Sequence, residues 1–283
     1  MGKFARTWQL MGASWQLLKQ DKRLVVFPLI SGVVLALVIA TFGIPLFATG
    51  QAQHYLSDPN QPARQMYVTL FIFYFVSYFV MIFFNSALIA CVLKQMDGEQ
   101  PTIRDGLSAA WQRLPQIFAW ALLASTVGYL LRLLEQRVGF VGRIVVGLLG
   151  MAWTVTAFLV VPVVVAEGDG PFAAYKRSVV MLKRTWGEQI IGNVSFGLIF
   201  MLLGIVPAIV VIVLAAAAGS AAALAAVALV VIYLVALGLV QSTLQTIYQA
   251  AVYRYAADGE APGGFDKQLI AEAYRVKKPK SWM

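Results

Sequence analysis

The sequence Asp97-Gly98-Glu99-Gln100-Pro101 ends a long apolar stretch and begins a more polar one. Two close variants follow later apolar stretches, at Glu167-Gly168-Asp169-Gly170-Pro171 and Asp258-Gly259-Glu260-Ala261-Pro262. Glycine readily ends a helix and proline suits the start of the next one, so each of these three acidic turns is predicted to separate two helices. Because the turn recurs, the sequence predicts a repeated structural unit.

The composition is typical of a membrane protein. Of the 283 residues, 60% are apolar and 12% are charged, whereas a soluble domain has about 25% charged residues. A single cysteine, Cys91, excludes an intrachain disulfide, and a single histidine, His54, has no second His or Cys with which to form a metal site or an acid–base pair. The chain is therefore predicted to be one transmembrane domain over residues 1–283, without catalytic residues, metal or cofactor.

Charge-free stretches predict the membrane spans, because about 20 apolar residues cross the hydrocarbon core as a helix. Four such spans lie at 24–47, 66–93, 115–131 and 144–166, and two more share 189–253 with a junction at 215–223. The predicted fold is all-α, with six transmembrane helices in three parallel two-helix repeats. The repeats cover roughly 1–100, 101–170 and 171–262, and a cytoplasmic tail covers 263–283.

The basic residues predict the orientation. Eighteen of the 22 Lys and Arg residues fall on the side that holds both termini, and the other side keeps only Arg64, Arg132, Arg137 and Arg143. The positive-inside rule then places both termini and all three acidic turns in the cytoplasm.

Short segments of helical periodicity precede the odd-numbered spans and follow the last one, and these are the predicted surface helices. They cover residues 4–18, 102–114, 172–186 and, more weakly, 265–276, and the second begins with a predicted capping box formed by Thr102 and Asp105. Their apolar and basic faces predict helices in the lipid headgroup layer, although packing against the bundle would require similar faces. The net charge of +9 favours anionic inner-leaflet lipids as partners and does not imply nucleic acid. The candidate interfacial anchors are Trp8, Trp15, Trp111 and Trp186.

Uncharged polar residues predict a second candidate site inside the membrane. They concentrate in the cytoplasmic halves of three spans, where buried amides and hydroxyls need partners. Hydrogen bonds between helices would satisfy them, and so would a polar vestibule that binds a small molecule or a lipid headgroup. The residues are Asn85, Ser86, Asn193, Ser195, Gln241, Gln245 and Gln249.

The acidic turns leave two interpretations open. Their carboxylates have the chemistry to hold a divalent cation, and their spacing equally fits solvated turns. No Asp, Glu, Lys or Arg occupies the middle of a predicted span, which removes support for proton-driven transport.

Four motifs of the chain are specific enough to compare with known families. They are Phe83-Phe84-Asn85-Ser86-Ala87-Leu88-Ile89-Ala90 before the first acidic turn, Gly139-Phe140-Val141-Gly142-Arg143, Val161-Pro162-Val163-Val164-Val165-Ala166 before the second turn, and Arg184-Thr185-Trp186-Gly187-Glu188-Gln189. These motifs resemble an uncharacterised family of six-pass prokaryotic membrane proteins, and more distantly the membrane domain attached to some glycerophosphodiester phosphodiesterases. The resemblance implies a bacterial inner-membrane location and the same helical fold, and it implies no activity.

These patterns favour a non-enzymatic membrane protein whose surface helices organise lipid or hold a membrane protein complex, with a homo-oligomer or a protein partner as the assembly. The alternative is a transporter or channel subunit that uses the intramembrane polar residues as its site. An enzyme acting on lipid would need reactive groups that the sequence does not display.

Overall fold

The computed structural model describes the backbone of residues 3–48, 50, 64–184, 188–218 and 220–259. It describes the side chains of residues 11–48, 50, 67–183, 199–213, 215 and 224–259. Throughout these residues the chain forms helices and turns without a β-strand, which confirms the all-α prediction for the described part. The predictions at His54, Trp186 and the fourth surface helix lie outside the described residues, as do the side chains of Trp8, Asn193 and Ser195.

The helices follow one another with short connections, and a 3-10 turn over Lys22–Val25 leads into the second helix. We number the helices α1 (Lys3–Gln20), α2 (Val26–Ala48), α3 (Arg64–Met96), α4 (Ile103–Gln112), α5 (Leu114–Arg137), α6 (Phe140–Thr156), α7 (Val160–Glu167), α8 (Pro171–Arg184), α9 (Glu188–Ala218) and α10 (Ser220–Asp258). The first three predicted surface helices correspond to α1, α4 and α8.

Five helical segments of the described chain are long and apolar enough to cross a membrane. They are Lys22–Ala48, Tyr67–Met96, Leu114–Arg137, Phe140–Glu167 and Leu224–Asp258. The predicted fifth span lies in α9, of which the described apolar part, Ile199–Val213, is shorter than a span. Length and composition therefore match five of the six predicted spans.

The third span is longer than its sequence boundaries predict. We expected it to end at residue 131 and placed Arg132 and Arg137 in a loop, but α5 continues through both to Arg137. Neither glycine nor proline occurs between Gly128 and Gly139, so nothing stops the helix when the charged residues begin.

The fourth span is interrupted, although its apolar sequence is continuous. Helix α6 ends at Thr156 and α7 begins at Val160. Pro162 explains the break, because proline lacks an N–H and its ring collides with the carbonyl four residues earlier, here that of Phe158. Pro45 and Pro207, in contrast, lie inside the unbroken helices α2 and α9.

The three acidic turns each place a glycine in the left-handed region. Their first glycines adopt left-handed φ angles of +85° at Gly98, +74° at Gly168 and +73° at Gly259. At the first turn, Glu99 N–H donates to Lys94 O (3.1 Å) and Gly98 N–H to Gln95 O (3.0 Å), which is the Schellman pattern. At the others, the glycine N–H donates to the carbonyl four residues earlier, at 3.1 Å and 2.9 Å. The prediction that these turns end helices is confirmed.

The predicted capping box at the start of α4 is also confirmed. Asp105 N–H donates to Thr102 Oγ1 at 3.2 Å, and Thr102 N–H donates to Asp105 Oδ2 at 2.8 Å. These two bonds satisfy backbone donors that a helix N-terminus leaves without intrahelical partners.

The contacts divide the chain into two compact units. One comprises Met1–Val25, Val92–Glu99 and Met181–Met283, and in it α1, α9 and α10 pack against one another. The other comprises Val26–Cys91 and Gln100–Val180, and in it α5 packs against α4, α6 and α7. The division into three repeats stays a prediction.

Candidate functional site

Helix α1 buries one side and exposes a tryptophan on the other. Ser14 and Leu17 are buried, while the side chain of Trp15 is 42% exposed. The ammonium of Lys19, one turn later, lies 5.6 Å from the centroid of the Trp15 ring. From the end of α3, Gln95 Nε2 donates to Leu17 O at 3.3 Å, which attaches the buried side of α1.

Helix α4 packs closely against α3, and the residues that it buries are very small. Gly106 and Ala110 are buried. A Cβ atom added at Gly106 would lie only 2.6 Å from Cys91 Sγ and 2.7 Å from Ala87 O, so only glycine permits this approach to α3. Trp111 of α4 is 67% exposed, although one part of its ring meets Phe83 of α3 edge-on, with centroids 6.5 Å apart.

Helix α8 repeats this arrangement. Ala174 and Ser178 are fully buried, and Phe172 is 76% exposed. The exposed Lys176 follows Phe172 by four residues, a spacing that places both on one helix face. Each of α1, α4 and α8 therefore buries one side while an aromatic ring stays exposed. The buried side includes a small residue in every case, together with Leu17 and Leu18 in α1 and Met181 and Leu182 in α8.

Ser178 also forms hydrogen bonds with backbone groups at the break between α6 and α7. Its hydroxyl donates to Thr156 O at 2.7 Å and accepts from Leu159 N–H at 3.2 Å. Both backbone groups lose their usual helical partners at the break, and unpaired buried backbone groups are costly. A surface helix thus holds an interrupted apolar helix in place.

An aromatic cluster adjoins the same break. The rings of Trp120, Trp153 and Tyr175 lie within 22–24° of parallel, at centroid distances of 5.2–6.4 Å. The Tyr175 hydroxyl lies 2.9 Å from Thr156 Oγ1, within hydrogen-bonding distance. Sequence analysis missed this cluster and the role of Ser178, although Pro162 was a usable signal for the break that both surround.

Basic side chains contact the carboxylates of the acidic turns. Arg254 contacts Asp97 of the first turn and lies 3.4 Å from Asp258 of the third. At the second turn, Glu167 lies 2.8 Å from Arg177. Among the described residues no group of three His, Cys, Asp or Glu side chains lies together. The geometry shows ion-paired turns, and cation binding stays an untested interpretation.

The predicted intramembrane polar residues have different surroundings. In one unit, Ser86 is fully buried and its hydroxyl has no partner in the described structure, while the neighbouring Asn85 does interact. In the other unit, Gln241 is half-buried, Gln245 is exposed, and Gln249 is half-buried with a partner. The burial and the partners of these residues therefore differ from one residue to the next, and a shared polar site stays a prediction.

Gln241 borders a groove of about 480 Å³ between α9 and α10. Ten of the eleven lining residues are apolar, and they include Gly204, Ala208 and Gly238. The amide of Gln241 forms no hydrogen bond within the described residues. The groove is thus an apolar space with one polar group, a combination suited to an amphiphilic molecule.

Comparison with known proteins gives a family but no activity. No curated protein matches the chain. Residues 64–264, which include α3 to α10 and more than two thirds of the sequence, match a family of unknown function. The chain therefore belongs to the family of unknown function DUF6159.

Proposed function

We propose that this protein is a non-enzymatic integral protein of the bacterial inner membrane whose surface helices organise anionic lipid around it. The observation that carries the proposal is the shared construction of α1, α4 and α8. Each buries one side against the protein and leaves Trp15, Trp111 or Phe172 exposed. Aromatic rings beside basic residues suit the headgroup layer, where the ring enters the acyl boundary and the cation meets phosphate.

Basic residues near these aromatic rings favour anionic lipids. Lys19, Arg104 and Lys176 are exposed. Lys19 and Lys176 follow Trp15 and Phe172 by four residues, and Arg104 precedes Trp111 by seven. Both spacings place the two residues on the same face of a helix. Each basic residue close to an anionic leaflet contributes about 1 kcal/mol of attraction. A collar of such helices would enrich anionic lipid locally or support a membrane partner or a second copy of the chain.

The test compares lipid enrichment in two matched double variants. The full chain is reconstituted in phosphatidylcholine vesicles containing a minor fraction of spin-labelled phosphatidylglycerol, and the motionally restricted fraction of the label is measured. We expect Arg104→Gln with Lys176→Gln to lower this fraction, and high salt to do the same. The control, Arg137→Gln with Arg143→Gln, changes exposed basic residues on the predicted outer side. Equal loss in both pairs would contradict the collar.

The predicted topology has its own test. A cysteine at Gln51 is expected to react with an impermeant thiol reagent added outside intact cells, whereas a cysteine at Glu99 is expected to be protected. The reverse pattern would place the surface helices on the wrong side for inner-leaflet lipid.

A transporter or channel subunit is the second candidate, and the position of Gln241 at the groove is the observation that favours it. The apolar lining fits a hydrophobic substrate better than a polar solute. Flux of a polar solute through proteoliposomes that is lost in Gln241→Leu would favour the transporter over the organising role.

A further inference from the structure

We infer that the groove between α9 and α10 is a binding site for one acyl chain of a glycerophospholipid, with the ester carbonyl of that lipid at the amide of Gln241. The inference rests on the proposed membrane location and is independent of the surface helices. It concerns α9 and α10 alone, which belong to one compact unit.

The lining of the groove favours a hydrocarbon chain as its occupant. The lining residues of α9 extend from Phe200 to Ile212, about 18 Å at 1.5 Å per residue, and those of α10 extend from Leu234 to Gln241, about 11 Å. Ten of the eleven lining residues are apolar, and the one amide, that of Gln241, lies at one end of the α10 lining. This distribution matches a lipid chain with its ester group at the end.

The polar group lies at the depth where a lipid has its esters. Residues 224–240 contain no charged, amide, Ser or Thr side chain and rise about 26 Å as a helix, close to the thickness of about 30 Å of the hydrocarbon core. Gln241 follows directly. Beyond it, α10 becomes buried in protein, with Thr243, Leu244 and Ile247 almost inaccessible. The groove therefore begins at the membrane boundary and extends along the apolar stretch.

The amide of Gln241 requires a partner in this setting. It has none within the described chain, and its half-buried side chain stays accessible to a partner from outside the protein. The N–H of a glutamine amide donates to an ester carbonyl, while its own carbonyl accepts from interfacial water. A lipid that places its chain in the groove satisfies both requirements and needs no particular headgroup.

Gly238 provides a variant that fills the groove without disturbing the helix pair. An added Cβ at Gly238 would meet nothing within 4 Å, whereas one at Gly204 would lie 3.3 Å from Leu234. Gly238→Leu is thus the test variant. Gly147→Leu is its control, because Gly147 is an exposed helical glycine with open space around it, away from the groove.

The experiment uses the full chain in phosphatidylcholine vesicles with a phosphatidylcholine probe that carries a photoreactive diazirine on its acyl chain. Cross-linked peptides are mapped by mass spectrometry. We expect cross-links concentrated on the groove, reduced about fivefold or more in Gly238→Leu because the added side chain excludes the probe, and unchanged in Gly147→Leu. Groove labelling equal to that around the exposed Leu37 of α2 and unchanged by Gly238→Leu would overturn the inference. A cross-linked dimer whose groove excludes the probe would also overturn it.

The second arm tests the ester contact. An unlabelled ester lipid is expected to compete about two- to tenfold better than its ether analogue, as one hydrogen bond predicts. This preference disappears in Gln241→Leu and persists in Gln245→Leu, since Gln245 is exposed and does not line the groove. Equal competition by ester and ether lipids in the unaltered protein would remove the proposed contact. Both arms use a zwitterionic lipid, so their failure leaves the proposed role of the surface helices untouched.

Discussion

The inner and outer faces of the surface helices differ in the side chains that they present. The inner faces of α4 and α8 use Gly106, Ala110, Ala174 and Ser178, which are buried and closely packed. The outer faces present Trp111 and Phe172, which are 67% and 76% exposed. The difference indicates that the buried side chains stabilise the fold, whereas most of the surface of each aromatic side chain is accessible to the surroundings.

The largest expected effect is on the inner face of α4. Gly106→Leu places atoms where Cys91 Sγ, Ala87 O and Phe27 Cζ already lie 2.6–2.8 Å from the first added carbon. Because one of these atoms belongs to the backbone, we expect the free energy of unfolding to fall by about 3 kcal/mol, the upper end for overpacking. Unfolding in mixed micelles titrated with denaturing detergent measures it. Gly147→Leu is the control, and similar stability of the two variants would show that α4 does not depend on this contact.

The next effect is expected at the break between α6 and α7. Ser178→Ala leaves Leu159 N–H and Thr156 O without the partner that now joins them. Leaving buried polar groups unpaired costs about 1–3 kcal/mol, and the same titration measures this loss. Ser108→Ala changes an exposed serine of α4 and is expected to leave stability unchanged. A Ser178→Ala variant as stable as Ser108→Ala would mean that other groups satisfy the break.

The acidic turns provide a smaller, matched comparison. Gly168→Ala and Gly259→Ala each place a side chain at a φ near +74°, for which the conformational cost is about 1–2 kcal/mol. At Gly168 the added carbon would also lie 2.7 Å from Arg113 Cζ, whereas Gly259 has nothing within 4 Å. The guanidinium is the end of a flexible side chain and can move aside, so we expect Gly168→Ala to unfold only slightly more readily than Gly259→Ala. Adding Arg113→Ala should remove the excess, and an excess that persists would exclude Arg113 as its cause.

The smallest effect on stability is expected on the outer face. Phe172→Ala removes a ring that is mostly exposed, so the free energy of unfolding in detergent should change by no more than about 0.5 kcal/mol. In vesicles, the same variant should retain less phosphatidylglycerol in the motionally restricted fraction. A loss of stability comparable with that of Ser178→Ala would show that Phe172 packs against protein.

The sequence predicted the features that depend on local chemistry. The three glycine turns, the Thr102–Asp105 capping box and the junction between α9 and α10 each follow from a few neighbouring residues, and the structure contains them. The break at residues 157–159 was predicted only in part. Pro28, Pro45, Pro162 and Pro207 can each break or kink a helix, but the sequence does not show which of them does, and α2 and α9 continue through Pro45 and Pro207.

The sequence patterns also did not identify which faces of the predicted surface helices pack against the protein. Periodicity in α8 predicted one apolar face made of Phe172, Tyr175, Val179, Leu182 and Trp186. Leu182 is buried and Tyr175 is half-buried, but Phe172 is exposed. Ala174 and Ser178, which the periodicity did not select, are fully buried. A protein interior and a headgroup layer both accept apolar side chains, so an apolar pattern does not distinguish between them. The close approach at Gly106 and the groove at Gln241 depend on neighbouring helices, which a single sequence does not position.

The central claim is that the outer faces of the surface helices contact lipid, and fluorescence quenching of single-tryptophan variants tests it most directly. One variant keeps only Trp111 and the other keeps only Trp120, which is 4% exposed, with the remaining tryptophans changed to phenylalanine. The full chains are placed in vesicles whose lipids carry a spin label at a shallow or a deep acyl position. We predict that the shallow label quenches Trp111 most and that Trp120 is much less affected. Quenching of Trp111 by an aqueous quencher, with none from either lipid label, would contradict the account.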